Sequence, residues 1–135
     1  MTTFYPSPEA FSVVFAAALV WTSALVQHGA NVYARGADYV MSDPSVAPDL
    51  KDFFGRATRT LANNIESAAM FAPPMLLALA LGRTSKATAL AALVYVAATA
   101  VFSLCYWFGI PVLRPFAWLT GMICCAGAAI VVFLG

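Results

Sequence analysis

Arg56, Arg59, Asn63 and Glu66 are spaced three, four and three residues apart. At about 100° per residue, a helix places them within an arc of ~80° on one side. The rise from Arg59 to Glu66 is ~10 Å, so guanidinium, amide and carboxylate follow one another along a single stripe. Such a ladder suits a small molecule that carries both carboxylates and an amine. The arginines would hold the carboxylates by charge-assisted hydrogen bonds, and Glu66 would hold the amine. Arg114 adds a further cation beyond the last turn of the chain, and Tyr106 lies close enough in sequence to add a phenol at the same level. An arginine beside a bound thiol favours the thiolate. The chemistry this set allows is conjugation, or reduction of a peroxide, by a thiol cofactor. A structural reading stands beside it: Arg59, Asn63 and Glu66 pair with one another or across a contact between chains, as polar groups do inside membranes.

The elements that carry these residues are membrane helices. Of 135 residues, 62% are hydrophobic and only 10% charged, against roughly 25% charged in an ordinary soluble domain. A single soluble core cannot hide that much apolar surface, so the bilayer must act as solvent for it. The expected fold is an all-α, integral membrane four-helix bundle forming one domain over 1–135, with helices at about 10–28, 55–81, 87–108 and 112–133. Glu9 and His28 bracket the first apolar run. The stretch from Gln27 to Phe54 holds Arg35, Asp38, Lys51 and Asp52, with turn signals at Ser42-Asp43-Pro44 and Ala47-Pro48-Asp49, and reads as an extramembrane loop. The second helix is polar in its first half, with the stripe expected to face inward, and carries Pro73-Pro74, which should kink it. Gly82-Arg83-Thr84-Ser85-Lys86 and Gly109-Ile110-Pro111 are tight turns. The positive-inside rule slightly favours a cytoplasmic first loop and outward termini.

Other features exclude more than they assign. A net charge of +1 with no basic run gives no sign of nucleic acid. Cys105, Cys124 and Cys125 lie in apolar context without a CxxC and read as small hydrophobes. His28 has no second histidine or cysteine at ligand spacing, so no metal is expected. Trp21, Trp107 and Trp118 read as packing or interface anchors. A proton-coupled exporter would want an unpaired membrane carboxylate, whereas Glu66 lies beside arginines.

Arg59 to Glu66 has the form RxxxNxxE, preceded by Arg56 and followed by Phe71 and the proline pair. It opens the second of four expected spans, and a Gly-Ile-Pro-x-Leu-Arg turn, Gly109 to Arg114, precedes the fourth. With these motifs, the loop lengths and the Asp43-Pro44 loop, nearly the whole chain resembles the MAPEG superfamily, the membrane-associated proteins of eicosanoid and glutathione metabolism, and most closely its bacterial branch. The resemblance implies a homotrimer of four-helix protomers in a bacterial inner membrane, with glutathione held between protomers. It implies that Arg59, Asn63 and Glu66 contact glutathione, that Arg56 stands at a position often basic there, and that Arg114 activates the thiol. Tyr106 approximates a glutathione-contacting tyrosine, and Arg35 a basic residue after the first helix.

The sequence departs from the eicosanoid synthases at three places. Ala62 stands where one branch has a further arginine, Ser67 where a tyrosine or other larger residue is common, and Pro115 where one branch has a serine. The site is less basic and less aromatic, which points away from eicosanoid synthesis. The resemblance therefore implies a membrane-bound, glutathione-dependent transferase or peroxidase acting on small lipophilic electrophiles. The alternative is a non-catalytic membrane protein of the same fold that binds lipid or docks on a larger membrane complex.

Overall fold

The computed structural model describes residues 6–42 and 52–134. Five helices follow in order: α1 (Pro8–Arg35), α2 (Ala37–Met41), α3 (Phe53–Ala80), α4 (Lys86–Trp107) and α5 (Arg114–Leu134). Four are long and α2 is a short corner piece.

Local chemistry sets the boundaries. The Ser7 hydroxyl accepts from the Ala10 amide at 3.2 Å, Pro8 follows in the first turn, and Glu9 places a negative charge at the positive end of α1. Asp52 caps α3 through the Gly55 amide at 2.8 Å. Ser85 and Thr88 form a reciprocal capping box that starts α4. Two helices end on left-handed glycines, Gly82 (φ 65°) after α3 and Gly109 (φ 70°) after α4. In each case the next amide reaches back to a helix carbonyl, Arg83 to Ala78 at 2.9 Å and Ile110 to Cys105 at 2.7 Å. This closure satisfies carbonyls that would otherwise face hydrocarbon, and a glycine accepts the positive φ without a Cβ clash.

Two expectations change here. The first helix does not end near residue 28. It continues to Arg35, because 28–35 holds no proline and the first left-handed stop is Gly36. At 1.5 Å per residue, its 28 residues exceed the roughly 30 Å of a hydrocarbon core. The expected loop likewise holds a short helix, α2, and the loop's residues 43–51, with the prolines of both turns, lie outside the described residues. Pro73 and Pro74 lie inside α3, where they remove the amides that would bond the carbonyls of Ala69 and Met70, and the helix is unbroken across them.

Helices α1, α4 and α5 are long and apolar enough to cross a membrane. Large apolar side chains such as Val14, Trp21, Leu90 and Ile123 are exposed along them, as expected where lipid is the solvent. The polar first half of α3 keeps it out of that group. Helix α3 packs against α1, α4 and α5, and α4 against α1, α3 and α5, while the backbones of α1 and α5 stay apart among the described residues. The pair α3–α4 therefore forms the centre.

The core is built from small residues and a few large rings. Ala16, Ala92, Ala128, Cys124 and Cys125 let the backbones approach around Phe71, Met75 and Tyr95. The rings of Phe71 and Tyr95 stack at 3.6 Å with a 2° interplanar angle. A polar layer lies beside them. Asn64, 3% exposed, donates to Ser23 Oγ of α1 at 2.8 Å and to Ser103 Oγ of α4 at 3.0 Å. The hydroxyls of Ser67 and Tyr95 meet at 3.0 Å. One asparagine thus ties three helices together at one depth and fixes their register.

Candidate functional site

The C-terminal ends of α1 and α4 and the N-terminal ends of α3 and α5 gather at one end of the bundle. The α1–α3 pairing shows this: Ser23 faces Asn64, and Ala30 clusters with Phe54 and Ala57. Four arginines belong to this end: Arg35 on α1, Arg56 and Arg59 on α3, and Arg114 on α5.

Arg56, in the first turn of α3, is half-buried and reaches the α4–α5 turn. A Cβ built on Gly109 would lie 3.7 Å from its Nε and 3.8 Å from its Cζ. The turn glycine thus closes α4 beside a guanidinium. The Phe53 ring lies 5.8 Å from the same Cζ. Arg114, at the start of α5, is half-buried, with its Cζ 4.7 Å from the centroid of the Tyr106 ring. Tyr106 is itself held edge-on by Phe102 at 5.0 Å. A cation over an aromatic face keeps its charge without spending a hydrogen-bond donor. Arg35 lies between the rings of Tyr39 and Phe54, at 4.7 and 5.0 Å, and donates to the Tyr39 hydroxyl at 2.8 Å.

Three buried polar atoms have no hydrogen-bond partner among the described residues: Asn31 Oδ1, Arg56 Nε and Trp107 Nε1. All three belong to this end of the bundle. Asn31 lies at the level of Arg56 in the α1–α3 register, and Trp107 immediately precedes the α4–α5 turn. Buried polar groups are seldom left unpaired, and these three lie at the end of the bundle that carries the arginines.

The expected stripe on α3 divides in two. Arg56 and Asn63 are half-buried, but Arg59 and Glu66 are exposed on the outside of the protomer. The inward row of α3 is instead Ala57, Thr60, Asn64, Ser67, Phe71, Met75 and Ala78, all buried. The expectation that the whole stripe faces inward is thus corrected. The reason is one step of helical phase: Asn64, next to the motif asparagine, takes the interior. Asn63 donates its amide to the Arg59 carbonyl at 2.7 Å and borders a narrow crevice with Ala117 and Trp118 of α5. Arg59 and Glu66 form no ion pair with each other, and their side chains take no partner among the described residues. The structure therefore brings Arg56, Tyr106 and Arg114 to the α4–α5 turn and leaves Arg59 and Glu66 on the rim.

Asn64, Ser23 and Ser103 were not singled out by the sequence reading. The available signal was the recurrence of hydroxyl residues on the other helices: Ser12, Ser23, Thr88, Thr99 and Ser103 are all buried.

The family model for the MAPEG family matches residues 9–134. The chain belongs to the MAPEG family. No curated protein and no solved structure matches it. Membership and the three apolar helices make this MAPEG protein an integral membrane protein. The match extends through both the α3 motif and the α4–α5 turn, so the two halves of the candidate site fall within the family's own extent.

Proposed function

We propose that this MAPEG protein binds glutathione between protomers of a homotrimer and uses it to conjugate or reduce small lipophilic electrophiles. The observation that carries the reading is the arginine cluster at the α4–α5 turn: Arg56 with an unpartnered buried Nε, and Arg114 held over Tyr106. The residues fit the tripeptide in kind. Arg56 and Arg59 would take its carboxylates and Glu66 its amine, while Trp107 Nε1 and Asn31 Oδ1 offer a further donor and acceptor. Bound there, the tripeptide would supply a thiol nucleophile for conjugation, its proton passing to water and the electrophile's leaving group departing with its electron pair. Arg114 stabilises negative charge on sulfur and so lowers the cost of losing the thiol proton. Tyr106 keeps the guanidinium in place by its ring face.

The outer face of α3 supports the assembly, in which α3 would be the fourth span. Arg59 and Glu66 are exposed on a helix packed among apolar spans, and an uncovered charge in a bilayer is costly. Copies related by an axis along the membrane normal meet at equal depth, so Arg59 would meet groups at its own level of the neighbour and Glu66 groups at its own level. Residues ~10 Å apart in depth cannot neutralise each other that way. A guest carrying both signs can bridge them.

Titration calorimetry of glutathione into the detergent-solubilised oligomer, together with conjugation of an aryl halide, tests the reading. Saturable binding and turnover are expected. A stable, folded oligomer that does neither sinks it. One observation favours the non-catalytic alternative: the Asn63 amide is turned back onto its own helix. Arg114→Ala separates the two, since loss of the oligomer supports the structural role and loss of turnover in an intact oligomer supports catalysis.

A further inference from the structure

The opposite end of the bundle holds a second feature that the thiol reading does not use. Between the C-terminal halves of α3 and α5 runs a groove of about 550 Å³, lined by Pro73, Pro74, Leu77, Ala129, Val132 and Phe133 among others, with Arg83 as its polar member. Ala129 and the two compact proline rings leave open the space that larger side chains would fill. Along α3 the wall from Leu81 to Pro73 descends ~12 Å, most of the depth of one leaflet's hydrocarbon, about half of a ~30 Å core.

Arg83 is fixed at the mouth. Its Nη1 donates to the Val132 carbonyl at 3.1 Å, which caps the end of α5 and ties the guanidinium to the groove wall. Arginine has five N–H donors, so the rest of the fork remains available. Lys86, exposed in the same turn, adds a second cation. Among the described residues the acidic side chain at this end is Glu9. It is 3% exposed and accepts from the Thr88 hydroxyl at 2.7 Å. A second copy of the chain seated here would bring the same two cations and no exposed carboxylate side chain from the described residues. An anionic phospholipid brings an acyl chain for the apolar wall and a phosphate for the fork.

We infer that this groove is a binding site for an anionic phospholipid of the leaflet on the α3–α4 turn side, with the acyl chain against Pro73, Leu77 and Val132 and the headgroup phosphate on Arg83 and Lys86. The site is independent of the thiol reading and lies at the other membrane face.

The test uses purified full-length protein in detergent with equimolar dioleoyl-phosphatidylglycerol and dioleoyl-phosphatidylcholine, read by native mass spectrometry. Phosphatidylglycerol should be retained over phosphatidylcholine by about fivefold, the scale of one basic side chain at an anionic surface. Arg83→Gln should reduce that preference, and Arg83→Lys should keep most of it. Ala129→Trp should abolish retention of both lipids without changing the oligomer. Equal retention by the wild type, or unchanged retention by Ala129→Trp, overturns the inference. Dissociation of the oligomer by Ala129→Trp also overturns it, because the groove then belongs to a subunit contact. If Ala129→Trp does not fold, Phe133→Trp gives a fluorescent reporter in the groove. After subtraction of the wild-type signal, brominated phosphatidylglycerol should quench it more than brominated phosphatidylcholine, and equal quenching overturns the proposal.

Discussion

The inner and outer faces of α3 carry polar residues on the same helix, and they handle them in opposite ways. The inner face, through Asn64 and Ser67, pairs with Ser23, Ser103 and Tyr95. The outer face leaves Arg59 and Glu66 exposed and unpaired among the described residues. Polar groups in a membrane helix must be satisfied by something. The inner set is satisfied by the fold itself and therefore sets register. The outer set is left to a guest or a neighbour, and the proposed function places the bound tripeptide there. The α4–α5 turn joins the two regimes: Arg114 is held by a ring, while Arg56 is half-buried with its buried Nε donor unspent.

Substitutions can break this contrast. The largest effect is expected for Arg114→Ala, with thiol conjugation falling about 100-fold, the scale of losing one donor aimed at developing negative charge. The thermal midpoint should hardly move. Steady-state rates and a melting curve on the same preparation check both halves. A collapse in stability would place Arg114 with the inner set.

Asn64→Ala should do the reverse. It leaves the Ser23 and Ser103 hydroxyls without their shared partner and opens a small void, at a cost of about 2 kcal/mol. Reversible unfolding in mixed micelles measures this. If Asn64→Ala instead retained full stability and lost glutathione affinity, the two faces would have been assigned the wrong way round.

Glu66→Gln keeps shape and removes charge. Glutathione affinity should weaken about fivefold, the scale of one partly solvated charged hydrogen bond, while the protomer stays equally stable. Calorimetric titration reads the first and the unfolding curve the second. The smallest effect is expected from Tyr95→Phe. It removes the 3.0 Å contact with Ser67 but keeps the ring stacked on Phe71, so a loss of ~0.6 kcal/mol is expected, the average for such bonds in membranes. Turnover should be unchanged. A large drop in turnover would make the inner polar layer part of the chemistry.

Much of this was legible in the residues. Long apolar runs, Ser85 with Thr88, and the glycines at 82 and 109 announce α4, α5 and the turns that join the helices, because capping and left-handed stops are local chemistry. The position of Arg114 beside Tyr106 was likewise within reach, since a tight turn leaves little freedom between them. The end of α1 was less legible. The charged residues after His28 look like a loop, yet a helix can carry them once it has left the hydrocarbon.

The sequence alone determined that the chain is a membrane protein of long helices, and that arginines, an asparagine and a glutamate gather near one end. Only the tertiary structure decided which of two adjacent asparagines faces inward, and that Arg59 and Glu66 face out. In water, apolar periodicity identifies the buried side of a helix, because the other side must be polar. In a bilayer both the core and the solvent are apolar, so that signal vanishes. The inward face is then chosen by close packing and by which hydroxyls and amides meet across helices, as Asn64 meets Ser23 and Ser103, and those meetings exist only once the helices are packed.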